Sequence, residues 1–327
     1  MAELYPPIEP YENGMLDVGD GNQVYWESCG NPSGKPAVMV HGGPGQGCSP
    51  NMRRGFDPRR YRLVLFDQRG CGRSGPHSSD PATEMRYNTT GHLLADMERL
   101  RTHLGVDRWL LCGGSWGSTL ALAYAERYPH RVMEVVLTAI TTGRRSEADR
   151  FYRGAARFFP GEWEQFRAAV PADERDGDLI AAYAGLMDHP DRQVRERAAV
   201  AWCAWEDAVL SLEPRTSGGR SANPPAGPYS SKGRTDLLAF VRICVHYLAH
   251  GAWLEEGELL REAHRLAGIP GVLIHGRLDL SCPLDTAWEL ARAWPDAELF
   301  APNDSGHLAS PSKRERLLAA LDGFAGS

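Results

Sequence analysis

Short apolar runs that end in polar, glycine-rich loops recur along the chain, at residues 37–40, 61–66, 109–112, 132–137, 271–275 and 298–300. Runs of this length bounded by turn residues are the pattern of strands buried on both faces. Between them the period changes. Leu93, Leu94, Met97, Leu100 and Leu104 fall on one face of a helix, with residues 88–90 as cap candidates and Gly105 as the stop. Residues 119–128 and 287–293 are also compatible with helices. Ahead of this, residues 15–18 and 23–28 flank Gly19-Asp20-Gly21-Asn22, which predicts a β-hairpin. Strands alternating with helices from residue 37 onward predict an α/β fold, a mostly parallel sheet with helices on both faces.

From about Thr141 the rhythm is different. Helical patterns rich in Arg, Glu, Ala and aromatics cover residues 151–159, 161–169, 194–212 and 237–254, with no strand among them. The expected organisation is therefore a core in two parts, 1–140 and 268–327, interrupted by an all-helical cap at 141–267. Residues 214–234, dense in Pro, Gly, Ser and Arg, are expected to form a long loop within that cap. No internal repeat is present.

Composition narrows the function classes. A chain of 327 residues, 42% hydrophobic and 24% charged, suits one large α/β domain with an insertion. The formal charge of -6, with both signs interspersed, leaves no footprint for nucleic acid and no polybasic membrane patch, so a small molecule or peptide is the expected partner. No apolar run approaches the roughly 18–20 residues of a membrane span. The start, MAELYPPIEPYENG, lacks the regions of a signal peptide, and the cytoplasm is the expected location. The 7 cysteines form no C-x-x-C pair, which suggests neither a disulfide framework nor a zinc site; Cys112 fits as a small core residue. Oligomeric state is not legible.

The chemistry centres on Cys112-Gly113-Gly114-Ser115-Trp116-Gly117-Ser118, where a strand pattern turns sharply into a helix pattern. This is a G-x-S-x-G nucleophile elbow, in which flanking glycines leave room for the tight turn and the serine hydroxyl stands at a helix N-terminus. An ordinary serine in a glycine-rich loop would look similar. Two further residues just past predicted strands change the balance: Asp279 in Gly276-Arg277-Leu278-Asp279, and His307 after Asp304-Ser305-Gly306. Serine hydroxyl is a poor nucleophile at neutral pH. It needs a histidine to take its proton, and the histidine needs a carboxylate to fix its tautomer. The order Ser115, Asp279, His307 is that of an α/β-hydrolase triad. His41 competes as base, but its place before Gly42-Gly43-Pro44-Gly45 favours a structural role in a loop whose backbone can approach a ligand. The backbone N–H groups of Trp116 and Gly43 are the candidate oxyanion hole. The run Gly43-x-Gly45-x-Gly47 does not have dinucleotide-binding spacing.

These motifs also carry a resemblance. His41-Gly42-Gly43-Pro44-Gly45, FDQRGCGRS at 66–74, NTT from Asn88, GGSWGSTLALAYA at 113–125, HGRLDLSCP at 275–283 and SGH at 305–307 are similar to proline iminopeptidases, also called prolyl aminopeptidases. The resemblance implies an α/β-hydrolase with a helical cap that releases one N-terminal residue without metal or cofactor. In the cap, Ala204-Trp205-Glu206-Asp207-Ala208 resembles the family segment whose glutamate binds the substrate's α-amino group, which gives Glu206 that role. Tyr152 is retained. Cys244 stands where the family has a second glutamate, Thr141 where an aromatic is expected, and Arg150 where another is usual.

The expected function is a serine amide hydrolase that removes a single aminoacyl residue such as Pro or Ala through an acyl-enzyme. Its substrate would be a peptide or a specialised amide such as an aminoacylated macrolactam. An esterase, lipase or acyltransferase would use the same triad, and a non-catalytic binding protein would share the fold. Cys244 is expected to free Glu206 of a like-charged neighbour, so that Glu206 ionises more readily, and to reshape the site toward bulkier, apolar leaving amines. Replacement of the missing carboxylate by Asp207 is the alternative.

Overall fold

The computed structural model describes residues 3–213 and 227–326. Most of the loop expected at 214–234 lies outside these. Eight strands form one sheet: β1 Pro10–Gly19, β2 Asn22–Gly30, β3 Lys35–Val40, β4 Tyr61–Phe66, β5 Trp109–Ser115, β6 Val132–Ile140, β7 Gly271–Ile274 and β8 Ala297–Phe300, in the spatial order β1-β2-β4-β3-β5-β6-β7-β8. The β1–β2 hairpin joins β4 antiparallel, and the remaining pairs are parallel. Each parallel strand is therefore followed by an excursion over a face of the sheet, and its carboxyl end opens on one common edge.

Helices α1 Thr90–His103 and α2 Trp116–Arg127 cover one face. The Thr89 side chain caps α1 by accepting from the His92 N–H. Leu93, Met97 and Leu100 of α1 join Leu120, Trp109 and Val135 in one buried cluster. A second, smaller cluster on the other face includes Phe56, Tyr61, Leu65 and Leu321.

Among the described residues six α-helices follow β6 before the sheet resumes, and the first five are α3 Arg145–Tyr152, α4 Pro160–Ala168, α5 Leu179–Met187, α6 Arg192–Leu210 and α7 Arg234–Ala249. They share their own core. In α6 the buried positions 195, 198, 199, 202, 203, 205, 206, 209 and 210 follow helical spacing, and Trp202 and Trp205 meet Tyr152, Phe166 and Tyr183. Phe166 stacks on Tyr183 with ring centroids 4.6 Å apart. Burying each such ring contributes roughly 1.5–3 kcal/mol, which holds together a layer that has no sheet. Residues after α7 behave differently. Ala252, Leu259, Ala263 and Leu266, in and around the short α8 Glu258–Arg261, pack into the cluster of the sheet.

Helix α9 Leu284–Ala293 then precedes β8, and α10 Pro311–Phe324 closes the chain by covering the second cluster. Helix α7 is fastened to the sheet layer by Arg242, whose guanidinium donates to the carbonyls of Ser78, Asp80, Pro81 and Thr83 at 2.8–3.4 Å. Among the described residues, no single helix is long and apolar enough to cross a membrane.

Candidate active site

Strand β5 runs up to Ser115 and α2 begins at the next residue. Ser115 has φ 55° and ψ -130°, a conformation that costs a non-glycine residue on the order of 1–3 kcal/mol. The turn is over-determined by close backbone approach. A Cβ on Gly113 would lie 2.4 Å from the Gly117 carbonyl oxygen, and one on Gly117 would lie 2.2 Å from that of Val40. No other residue fits on either side, and the serine is left at the tip, facing a cavity of about 880 Å³ including its open mouth.

Asp279 follows β7 and His307 follows β8, and the two meet: His307 Nδ1 lies 3.0 Å from Asp279 Oδ2 and 3.3 Å from Oδ1. With Nδ1–H donating to the carboxylate, Nε2 is left as the acceptor that a general base requires. Burial works against charge on both groups. Their mutual attraction outweighs it, so the Asp279 carboxyl sits below the usual range and the His307 imidazole above it. Cys282 N–H donates to Asp279 Oδ1 at 2.7 Å, and His275, fully buried, accepts from Ile140 N–H and donates to the Cys282 carbonyl. His275 thus ties the Asp279 loop to the end of β6, a role that sequence reasoning did not assign.

The loop after β3 brings Gly43 to the same cavity. Both ring nitrogens of His41 are occupied: Nδ1–H donates to the Gly42 carbonyl and Nε2 accepts from Gln68 N–H. Gln68 in turn donates to the His41 carbonyl and accepts from Trp116 Nε1. His41, whose ionisation is lowered by burial, holds this loop and is unsuited to act as base. Trp116 opens α2, where a backbone N–H has no partner from its own helix, and the Gly43 N–H makes no hydrogen bond among the described residues. Two free donors therefore stand beside Ser115.

The helical layer supplies the opposite wall. Glu206 is buried, with Oε1 accepting from Tyr152 Oη at 2.7 Å and from Trp202 Nε1 at 2.8 Å. Burial pushes its carboxyl up to about 7; the two donors and His307 act against the rise and Asp207 adds to it. Desolvation thus outweighs the two hydrogen bonds, and the like charge that adds to the rise is that of Asp207 rather than of residue 244. Cys244 lines the cavity and donates to the Pro44 carbonyl at 3.3 Å, its thiol held protonated by burial. Thr141 also lines the cavity, whereas Arg150 turns away to pair with Asp285 of α9 at 2.8 Å. Asp207 accepts from the backbone N–H groups of Tyr229 and Ser230 and is not part of the cavity wall.

Two more carboxylates escaped the sequence reading. Glu147 accepts from Thr141, Thr142, Arg144 N–H and Thr286, and organises the entry into α3. Glu213 accepts from the backbone of His307 and Leu308. Among the described residues one group, Asp279, Cys282 and His307, has metal-ligand atoms within 4.8 Å of one another. Its Nδ1 is engaged by the carboxylate and its thiol is kept protonated by burial, so the set suits proton transfer better than metal binding.

A family model described as alpha/beta hydrolase fold matches residues 35–313, and the chain is an α/β hydrolase. It is 50% identical over 326 residues to a probable proline iminopeptidase of Streptomyces coelicolor, covering 98% of each chain, and 49% identical over 331 residues to a proline iminopeptidase of Xanthomonas citri, covering 99% and 100%. The chain belongs to the proline iminopeptidase family. In fold it is also similar to the crystal structure of a proline iminopeptidase from Mycobacterium smegmatis, at TM-score 0.58 and 20% identity over 96% of this chain and 98% of that one. It is comparably similar to an Exiguobacterium antarcticum esterase, at TM-score 0.55 and 17% identity over 97% and 100%.

Proposed function

We propose that this hydrolase is a serine aminopeptidase that releases an N-terminal proline, or a residue of similar size, from a small peptide. Ser115 Oγ attacks the first carbonyl as His307 Nε2 takes its proton, and the oxyanion is held by the N–H groups of Trp116 and Gly43. Protonated His307 then delivers the proton to the leaving amine. Water repeats the cycle on the acyl-enzyme, with Asp279 holding the imidazole throughout. Glu206 receives the substrate's ammonium, with Tyr152 fixing the carboxylate. The helices at 141–267 act as a cap that selects substrate, and the proposed setting is the cytoplasm, in line with seven cysteines that are all free thiols.

The observation that carries this reading is that Ser115, His307 and a buried carboxylate, Glu206, line one cavity. An esterase needs the first two, whereas the third suits an ammonium. Release of arylamine from prolyl arylamide, absent with Ser115→Ala and much reduced when the proline nitrogen is acetylated, is the expected result. Faster turnover of a simple acyl ester than of any aminoacyl amide would overturn it.

A specialised substrate is a second reading. Thr141, Ala148, Phe151, Cys244 and Leu248 make part of the wall small or apolar. Glu147 of the wall is already bonded to Thr141, Thr142, Arg144 and Thr286, which leaves Glu206 for the ammonium; more binding energy must then come from the leaving-group side, so Pro- and Ala-amides should improve in kcat/KM as the amine becomes larger and more apolar. Strong proline preference without gain from bulk would sink this variant.

A further inference from the structure

His307 is held by its backbone as well as its ring. Its N–H donates to Glu213 Oε1 at 2.6 Å and the next N–H, of Leu308, donates to Oε2 at 3.0 Å, so one carboxylate clamps both peptide groups. From the other side, Lys313 Nζ of α10 donates to the carbonyls of Gly306 and His307 at 2.9 and 2.8 Å. Both charged residues are buried, Glu213 at 7% exposure and Lys313 at 4%. The fit is close enough to dictate the neighbouring residue, since a Cβ on Gly306 would lie 2.3 Å from Glu213 Cδ.

The origin of Glu213 gives the contact its meaning. It stands three residues beyond the end of α6, with its own N–H bonded to the Leu210 carbonyl, and α6 is the helix that carries Glu206. One helix therefore reaches the candidate amine-binding point with one carboxylate and the backbone of the candidate base with another. Resting on the proposed roles of Ser115 and His307, we propose that Glu213 is a positioning residue for His307, which keeps the imidazole aligned on Ser115 only while α6 is seated over the sheet.

The consequence for catalysis differs from that of an amine-binding residue. Glu206 acts on substrates with an ammonium, whereas Glu213 acts through the base, so its loss must slow reaction with blocked substrates and with amine-free probes as well. Its negative charge also bears on the imidazole, which is faced by Asp279, Glu213, Lys313, Glu206 and His275. Removing one anion from this set favours neutral His307, which moves the acid limb of reactivity to lower pH.

The test is the rate at which a fluorophosphonate labels Ser115, followed against pH in the full-length protein, beside kcat and KM for prolyl arylamide and its N-acetyl form. Glu213→Gln, which keeps the volume and removes the charge, is expected to slow labelling about 10- to 100-fold, since small misplacement of a catalytic group has effects of that order. It should lower kcat on both substrates by a similar factor, leave KM within about threefold and shift the acid limb downward. Gly306→Ala, which drives the loop off the carboxylate, should slow labelling in the same way. Unchanged labelling in folded Glu213→Gln, or a lower melting temperature with the pH limb in place, overturns the proposal. Persistent labelling of Ser115→Ala would instead overturn the reading of the site on which it rests.

Discussion

On the sheet side of the cavity, the candidate catalytic groups stand at the ends of β3, β5, β7 and β8 and are held largely by main-chain contacts; on the helical side, Glu206 is held by the side chains of Tyr152 and Trp202 within an aromatic cluster. Main-chain placement follows from how parallel strands end, and it tolerates little change because the backbones at Gly113 and Gly117 already touch. Side-chain placement on packed helices can be altered one residue at a time, as at Cys244 on α7. On the proposed reading, the chemistry is tied to the sheet and the choice of substrate to the helices.

The largest effects should come from the sheet side. Ser115→Ala and His307→Ala are each expected to lower kcat by about 10⁴-fold or more on amide and ester substrates alike, with the melting temperature preserved. Near-normal kcat in His307→Ala would break the comparison at its base.

Glu206→Gln tests the helical side. It should lower kcat/KM for substrates with a free α-amino group about 10- to 150-fold and spare N-acylated ones, because a charged hydrogen bond contributes roughly 1.5–3 kcal/mol. Equal loss on both would make Glu206 structural. Its pH dependence sharpens the point. Ammonium binding needs the ionised carboxylate, so kcat/KM for free-amino substrates should rise as pH passes about 7, a step the glutamine variant lacks. Stability runs the other way. A carboxyl whose pKa is raised on folding contributes stability fully below its unfolded pKa, near 4.5, and loses that contribution as pH rises through about 7. Between pH 5 and 8 the wild type should therefore lose more melting temperature than Glu206→Gln, by a few °C.

Tyr152→Phe removes one of the two donors to Glu206 Oε1. Because Trp202 Nε1 still donates to the same oxygen, the net loss is set at about 0.5–1.5 kcal/mol, so kcat/KM should fall about 2- to 12-fold, and the step near pH 7 should move higher, since the Tyr152 bond favours the ionised form. A step that stays in place would mean that Tyr152 acts by shape alone. Smallest of all, Arg150→Ala should leave kcat/KM within about twofold and cost at most about 1 kcal/mol of stability, because its partner Asp285 is exposed and lies outside the cavity. A change in substrate preference would return Arg150 to the site.

The same contrast explains what could be read from the chain. Strand β4 coincides with the apolar run at 61–66, and the elbow, Asp279 and His307 were visible because turn glycines and strand ends are local signals. Helix α5 was not, since Leu179, Ile180, Ala181, Ala182, Tyr183 and Ala184 are apolar all round and have no periodicity; its one signal is the cap Asp178, which accepts from Ile180 and Ala181 N–H. Helix α10 was overlooked although Ser310 and Pro311 form a legible start, with serine as cap and proline in the first turn. The pairing of Glu213 with the His307 backbone spans 94 residues, and the raised carboxyl of Glu206 depends on burial by distant aromatics. Neither leaves a trace in local sequence.

The anchor made by Arg242 has an evolutionary consequence. Its guanidinium recognises four carbonyl oxygens and no side chain of the segment 78–83, so the exposed positions of that segment can drift in sequence while these contacts survive. The tolerance is one-sided. Lysine has the charge but not the planar fork that reaches several acceptors at once, so these four contacts depend on arginine at position 242, while the exposed positions 80–82 of the loop it grips can vary.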